Sequence, residues 1–219
     1  MAGSSDKDPE APGTGSTDAL HRAYQSESAQ VTAEVYDDWA GDYETHMRNV
    51  GYTHPAMVAA MVARHVPQTT EPVLDAGAGT GVLGEILKAL GYANLHGLDA
   101  SVGMLEIAGL KRNYRDLRQQ FLGEPLDYDS DNFALVASSG VFTQGHAPLD
   151  GLDELLRITR SGGHLVFSIA RTYLDGPFDA KRRQLEETGA WRLVAASERY
   201  NSAPLEDELI AQVYVFEVL

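Results

Sequence analysis

Apolar side chains recur at every third or fourth position in the first part of the chain. Between residues 18 and 50 this spacing predicts an amphipathic helical segment. A second helix is predicted over residues 54–65, because Thr53 can cap it and Pro55 suits its first turn. We therefore expect an N-terminal helical segment over residues 18–66, ahead of a different pattern.

From residue 73 onward, short apolar runs alternate with helical patterns. They predict strands at 73–76, 94–98, 119–122, 133–138 and 164–170, and helices at 82–90, 101–114 and 149–159. This alternation predicts right-handed crossovers and a parallel sheet covered by helices on both faces. The end of the chain differs, because a helix at 179–188 precedes two strands, 191–196 and 208–219, with no helix between them. These two strands predict an antiparallel edge hairpin that closes the sheet.

Length and composition predict one folded domain. The chain has 219 residues, 43% of them hydrophobic, which supports one substantial core over residues 18–219. Residues 1–17 are rich in Gly, Ser, Pro, Asp and Thr and predict a disordered tail. No apolar run approaches the roughly 20 residues of a membrane span, and the polar N-terminus does not resemble a signal peptide. We therefore expect a soluble cytoplasmic protein without a membrane partner.

Charge and cysteine content narrow the chemistry. The formal net charge of −15 would repel a phosphate backbone, so nucleic acid is not expected as a partner. An acidic surface can attract a cationic substrate or can serve solubility alone. The chain has no cysteine, which excludes disulfides, thiolate ligands and thiol nucleophiles. Because the histidines and carboxylates show no compact ligand spacing, no metal site is predicted.

The stretch from Val73 to Gly81 carries the most informative motif. An apolar run is closed by Asp75 and followed by glycines at positions 77, 79 and 81. This order predicts a buried strand that turns at once into a helix, with a bare backbone where a ligand must come close. A nucleotide-like cofactor is therefore expected at the loop.

Two classes of cofactor fit this loop: a dinucleotide, and a nucleotide-like cofactor that carries a cationic centre. The residues Gly79-x-Gly81-x-x-Gly84 satisfy the dinucleotide fingerprint, and Asp99 after the next strand suits either class. Asp75 favours a ligand with an ammonium or other cationic centre, because a pyrophosphate gains nothing from a carboxylate there. The Tyr-x-x-x-Lys pair of common nicotinamide enzymes and the P-loop motif do not occur in the sequence. A glycine turn that binds nothing is a third interpretation.

Several ordered motifs resemble the class I S-adenosylmethionine-dependent methyltransferases. Residues 73–81 resemble the first motif of that superfamily, and motifs at 97–105, 122–126, 132–136 and 155–163 follow in the same order. Residues 36–44 resemble the N-terminal helix of many small-molecule methyltransferases. With 111–117 and 140–148, that segment most resembles the methyltransferase-like family named after the Williams–Beuren syndrome chromosome region.

The resemblance implies a fold, a cofactor and a reaction. The implied fold is a Rossmann-like, seven-stranded, mostly parallel sheet with helices on both faces and a C-terminal antiparallel strand. The implied cofactor is S-adenosyl-L-methionine, with S-adenosyl-L-homocysteine as product. The implied reaction is methyl transfer to oxygen or nitrogen of a small molecule, with the helices of residues 18–66 as a lid.

The resemblance also assigns cofactor contacts. Gly77, Ala78 and Gly79 would let the backbone approach the methionine part, with Asp75 near its ammonium group. Asp99 would accept both ribose hydroxyls. Further contacts are implied for Tyr36, Trp39, Tyr43, Ala100, Met104, Glu124, Pro125 and Ser139. Glu124 stands where many relatives place an Asp for the adenine amino group, and main chain is the alternative there. Ordinary packing of an amphipathic helix is the alternative for the three aromatic residues.

Candidates for catalysis and acceptor binding follow strands four and five. His146 lies after strand four, at the carboxyl edge where such sheets bind ligands, so it is the candidate general base. A solvated surface histidine is the alternative. Phe142, Tyr173 and Tyr200 are candidate substrate contacts, because their loops extend over the same edge. His46 and His54 flank the helix junction, where they would line the entrance or lie on the surface.

Two rival functions remain open at this stage. One is a methyltransferase-fold protein that keeps the cofactor pocket but acts as a regulatory or binding subunit. The other is a nicotinamide-dependent oxidoreductase that uses the dinucleotide interpretation of the loop.

Overall fold

The structure is a computed structural model that describes residues 22–23, 26 and 28–219, except 144, 206 and 207. The predicted disordered tail, residues 1–17, lies outside the described residues. Among the described residues, no helix has both the length and the apolar character needed to cross a membrane.

The chain alternates helices and strands as its pattern predicts. The strands are β1 Val73–Ala76, β2 Leu95–Asp99, β3 Asp116–Gln119, β4 Phe133–Phe142, β5 Thr159–Ala170, β6 Trp191–Ala196, β7 Tyr200–Asn201 and β8 Ile210–Val218. The helices are α1 Ala29–Asn49, α2 His54–His65, α3 Val82–Ala89, α4 Val102–Leu110, α5 Gly151–Ile158, α6 Arg171–Leu174 and α7 Pro177–Glu187.

The strands form one sheet in the order β3-β2-β1-β4-β5-β8-β6, with the two-residue β7 beside β8. Strands β1 to β5 are parallel, whereas β8 pairs antiparallel with both β5 and β6. The expected Rossmann-like, mostly parallel sheet with a C-terminal antiparallel strand is confirmed. The last strand, β8, lies inside the sheet, and β6 forms the edge.

Helices cover both faces of this sheet. On one face Leu152 and Leu155 of α5 belong to a core cluster with Phe167 and Trp191. On the other face Val58 of α2 and other α2 and α3 side chains pack against the strands. Both helical layers bury apolar side chains, which is the arrangement that a βαβ alternation requires. The longest helix, α1, packs in a separate cluster with Val35, Trp39 and Met47.

Several predicted boundaries are wrong, and each has a local cause. β3 begins at Asp116, three residues before the predicted strand, because an edge strand keeps polar side chains half exposed and lacks a clear apolar signal. α4 ends at Leu110 and not at residue 114, since Arg112 has a left-handed φ of +54°. Thr53 occupies the N-cap of α2 but makes no capping bond, because its hydroxyl donates to the carbonyls of Asn201 and Ser202.

Candidate active site

A cavity of about 610 Å³ lies at the carboxyl ends of the central strands, beneath α1. The predicted site residues that line it are Tyr36, Tyr43, Gly77, Gly79, Asp99, Ala100, Met104, Ser139, Phe142 and His146. Those that do not line it are Trp39, Asp75, Ala78, Glu124, Pro125, Tyr173 and Tyr200. Ala78 lines an adjoining cavity of about 260 Å³ on the α3 side of the loop. The sheet edge that the sequence predicts is therefore concave and partly enclosed.

The glycine loop is tied to β2 through its main chain. The amides of Gly77 and Ala78 both donate to the Leu98 carbonyl, at 2.9 and 2.8 Å. Gly77 has a φ of +80°, and a Cβ there would collide with Val141. The amide of Gly79 donates to Oδ2 of Asp99 at 2.8 Å. The loop therefore presents bare backbone to the cavity, as glycine allows.

Asp99 is held by main-chain donors at the end of β2. Besides Gly79, the amide of Ser101 donates to its Oδ1 at 2.9 Å. Burial raises the pKa of Asp99, while the amides of Ser101, Gly79 and Ala100 oppose that shift. A carboxylate has about four acceptor positions, so these bonds leave capacity for ligand hydroxyl groups. Asp99 lines the cavity, so its geometry suits the ribose-binding role that the sequence suggests.

Helix α1 is fixed over this part of the cavity by Asp37. Its Oδ1 accepts from the hydroxyl of Ser101 at 2.5 Å and from the amide of Gly103 at 2.8 Å. Gly103 allows this approach, because a Cβ there would lie 3.0 Å from the backbone of Asp37. Sequence reasoning missed Asp37, since its partners lie more than 60 positions away along the chain.

Asp75 does not reach the cavity. It is fully buried behind the loop, and its Oδ2 accepts a hydrogen bond from the hydroxyl of Tyr114 at 2.6 Å. Burial raises the pKa of Asp75 to about 7, and the nearby charge of Asp99 adds to the shift that the Tyr114 hydroxyl opposes. The resemblance implies that Asp75 lies near the cofactor ammonium, directly or through water; in the structure its Oδ2 is held by Tyr114.

Tyr114 also accounts for two glycines of the dinucleotide fingerprint. A Cβ at Gly84 would collide with the Tyr114 hydroxyl, and one at Gly81 would lie 3.1 Å from its ring. These glycines therefore make room for Tyr114, and neither lines the cavity. The nicotinamide interpretation loses its support here, because the fingerprint reserves those positions for close approach to a pyrophosphate and for helix packing.

His146 and Tyr36 form a pair on the cavity wall. The Tyr36 hydroxyl lies 2.6 Å from Nε2 of His146, and the two rings meet edge to face at a centroid distance of 5.5 Å. Thr32 of the same helix donates to the Gly145 carbonyl at 3.0 Å, so α1 also holds the loop that carries His146. Trp39 packs against Tyr36 and Tyr43 in the buried cluster of α1. Its placement matches the packing alternative.

The remaining candidates differ in whether they reach the cavity. Because β3 ends at Gln119, the next residues, Gln120 to Leu122, line the cavity, and Glu124 and Pro125 are exposed beyond them. His46 is buried against Trp39 and does not line the cavity. His54 does line it. No group of three or more His, Asp or Glu side chains suited to a metal ion occurs in the described part of the chain.

Comparison with known proteins assigns the superfamily. A family model described as a methyltransferase domain matches residues 74–167. The chain is 32% identical over 169 residues to Methyltransferase-like protein 27 from Homo sapiens, covering 74% of this chain and 68% of that protein. This chain belongs to the class I S-adenosylmethionine-dependent methyltransferases.

Two further comparisons agree with this assignment. The methyltransferase is 32% identical over 151 residues to Demethylmenaquinone methyltransferase from Clavibacter sepedonicus, covering 67% of this chain and 61% of that protein. A TehB-like methyltransferase structure from Corynebacterium glutamicum has the same fold, with a TM-score of 0.58 at 21% identity over 82% of this chain and 98% of that one. The cofactor of this methyltransferase is S-adenosylmethionine. The bare loop, Asp99 and the apolar Ala100 and Met104 line the cavity and fit the parts of this cofactor.

Proposed function

We infer that this methyltransferase transfers a methyl group to oxygen or nitrogen of a small molecule bound beside His146. The observation that carries the proposal is the 2.6 Å contact between the Tyr36 hydroxyl and His146 Nε2 on the wall of the cavity. That cavity is continuous with the cofactor edge, by which we mean Gly77, Gly79, Asp99, Ala100 and Met104. One concave space thus joins a cofactor site to a proton-accepting pair.

The cofactor edge offers a different contact to each part of the cofactor. Gly77 and Gly79 would receive the methionine part along bare backbone, and Asp99 would accept from the ribose hydroxyls. Ala100 and the buried Met104 would flank the adenine with apolar surface. Bound S-adenosylmethionine supplies a methyl group on a sulfonium that is already activated for in-line displacement, so alignment of the acceptor provides much of the rate.

Tyr36 and His146 would together remove the proton of the acceptor. When the Tyr36 hydroxyl donates to Nε2 of His146, the tyrosine oxygen is left able to accept a proton from a neighbouring hydroxyl or ammonium group. The proton that Tyr36 already carries then passes to the imidazole, which becomes imidazolium. Such a general base typically contributes a factor of about 10² to 10⁴ in rate.

The enclosure of the cavity supports a small acceptor. Helix α1 closes the space from above through the contacts of Asp37, Thr32 and Tyr36. A volume of about 610 Å³ lies within the range of small-molecule sites and has to hold cofactor and acceptor together. The name of the Clavibacter sepedonicus relative, Demethylmenaquinone methyltransferase, supports the proposal of a small acceptor.

The test is a methyl-transfer assay on a panel of phenols, amines and carboxylic acids, with S-adenosylhomocysteine as the measured product. We expect turnover of at least one phenol or amine, and a kcat for His146→Asn about 10²-fold or more lower at unchanged cofactor affinity. His96→Asn is the matched control, because His96 lies on β2 outside the cavity. Equal kcat values for the parent and His146→Asn would contradict the role of His146. Tight cofactor binding without transfer to any panel member would contradict the proposed function.

A further inference from the structure

His54 forms a second polar site in the cavity, apart from Tyr36 and His146. It is the first residue of α2, is 7% exposed and lines the cavity. Its Nδ1 lies 2.7 Å from the hydroxyl of Tyr200, and its ring meets the rings of Tyr52 and Tyr200 edge to face. Within the described residues nothing hydrogen-bonds its Nε2, and a Cβ added at Gly140, which lines the cavity, would lie 3.4 Å from the neighbouring Cδ2.

The contact with Tyr200 determines which nitrogen of His54 carries the hydrogen. The amide of Gly140, which can only donate, gives its hydrogen to Oγ of Ser168 at 2.8 Å. The Tyr200 hydroxyl lies 2.7 Å from Nδ1 of His54, and the Ser168 side chain is close enough to lower the pKa of Tyr200. We assign the Tyr200 hydrogen to the short contact with Nδ1 of His54. Burial raises the pKa of Tyr200, which keeps its hydroxyl protonated. A neutral imidazole that accepts at Nδ1 carries its hydrogen at Nε2, on the side of the cavity.

His54 is neutral because its surroundings are buried and uncharged. Burial lowers the pKa of His54 to about 4, so the ring carries no charge at neutral pH. The groups that face the ring are Tyr52, Tyr200 and the backbone of Gly140. His54 therefore offers a neutral hydrogen-bond donor.

The other charged side chains that line the cavity, apart from Asp99, are solvent-exposed. Arg171 lies 4.0 Å from Glu208, and Asp175 accepts from Arg199 at 2.5 Å. Asp99 belongs to the cofactor edge, and apart from His54 and His146 the remaining side chains around the space are apolar, aromatic or uncharged polar groups. A charged group placed against His54 would lose its hydration beside uncharged side chains, which costs free energy.

We propose that His54 is a specificity-determining residue, whose Nε2–H donates to an uncharged oxygen of the methyl acceptor. The acceptor is then a neutral, largely apolar molecule that carries a carbonyl or ether oxygen besides the atom to be methylated. This inference rests on the proposed function for its substrate, but the state of His54 can be measured without any substrate.

The first test is the histidine tautomer, measured by NMR on the full chain with ¹⁵N-labelled histidine and bound S-adenosylhomocysteine. We expect His54, assigned by its loss in His54→Leu, to be protonated at Nε2 and not to titrate between about pH 5.5 and 8. Tyr200→Phe removes the donor to Nδ1 and should change the ¹⁵N chemical shift of that nitrogen. Tyr214→Phe, which removes a hydroxyl bonded to Gln212, is the control and should leave His54 unchanged. An Nδ1-protonated or titrating His54 in the parent protein would overturn the proposal.

The second test compares three probes on the protein loaded with S-adenosylhomocysteine. 4-Hydroxyacetophenone should bind roughly fivefold more tightly than 4-ethylphenol, which lacks the carbonyl oxygen. 4-Hydroxybenzoate should bind more weakly than both, and His54→Leu should remove the preference for the carbonyl. Equal affinities in the parent, a preference for the benzoate, or no binding of any probe at millimolar concentration would each overturn the acceptor class. Failure to bind S-adenosylhomocysteine would instead contradict the proposed function, and the tautomer result would stand.

Discussion

The residues of the glycine-rich loop face two sides, and the two sides serve different purposes. Gly77 and Gly79 face the cavity, and the Gly79 amide holds Asp99 in place. Asp75, Gly81 and Gly84 face away from it and surround Tyr114. In sequence these residues form one motif with one spacing. In the structure Gly77 and Gly79 shape a ligand site, whereas Gly81 and Gly84 make room for Tyr114, which donates to Asp75.

The largest expected effect comes from the side that faces Tyr114. Gly84→Ala would place a methyl group where the ring and hydroxyl of Tyr114 lie, which forces the tyrosine away from Asp75. Overpacking and a lost buried hydrogen bond together should lower the free energy of unfolding by about 3 kcal/mol. Chemical denaturation measures this change.

Two comparisons test that explanation. In the Tyr114→Leu variant, adding Gly84→Ala should lower the free energy of unfolding only slightly, because the colliding atoms are then absent. Gly41→Ala is the matched control, since its Cβ would meet nothing within 4 Å inside α1, and it should stabilise by about 0.5–1 kcal/mol. If Gly84→Ala kept its stability but lost cofactor affinity, Gly84 would face the ligand and the division of the loop would be wrong.

On the cavity side, where Asp99 holds the Gly79 amide, a substitution should lower cofactor affinity. Asp99→Ala removes a carboxylate proposed to accept both ribose hydroxyls, so the affinity for S-adenosylhomocysteine should fall about 100-fold. Titration calorimetry measures the affinity, and Asp116→Ala on β3, outside the cavity, is the matched control. A loss of less than about threefold would remove Asp99 from the cofactor site.

Local chemistry explains which of these features the sequence could predict. A strand, a tight turn and a helix follow one another within residues 73–89, so periodicity and glycine placement predicted the loop and its position in the sheet. The same pattern placed Asp99 at the end of β2, whereas Ala100 and Met104 were implied by the resemblance to methyltransferases; all three line the cavity. These residues are close in space because they are close in sequence or lie at the ends of adjacent strands.

The contacts that the sequence could not predict join distant segments through side chains. Tyr114 meets Asp75 across 39 positions, and His54 meets Tyr200 across 146. Neither partner belongs to a periodic pattern that would indicate the other. Tyr114 was hidden further because residues 101–114 predict one helix, whereas α4 ends at Leu110 and leaves Tyr114 free to turn inward.

The pH dependence of stability tests the burial of Asp75. Its pKa is 3.8 in model compounds and about 7 in the folded chain, so between these values only the unfolded chain releases the proton. The free energy of unfolding should therefore fall as pH rises from about 4 to about 7. Relative to Asp75→Asn, which keeps the Tyr114 contact but does not titrate, the parent should lose roughly 2–3 kcal/mol between about pH 5 and 7.5. Urea unfolding at the two pH values gives this difference, and parallel pH curves would contradict the raised pKa.

The smallest effect is expected at Gly79, where no atom blocks a side chain. Its φ of +53° is left-handed, but a Cβ there meets nothing within 4 Å, because it would point into open space. Gly79→Ala should therefore cost only about 1 kcal/mol in unfolding free energy, the backbone strain alone. It should also weaken S-adenosylhomocysteine binding, since the methyl group would narrow the cavity where the cofactor is proposed to lie. Thermal unfolding and titration of the same sample separate the two effects. A stability loss as large as that of Gly84→Ala, with unchanged affinity, would mean that both sides of the loop serve packing.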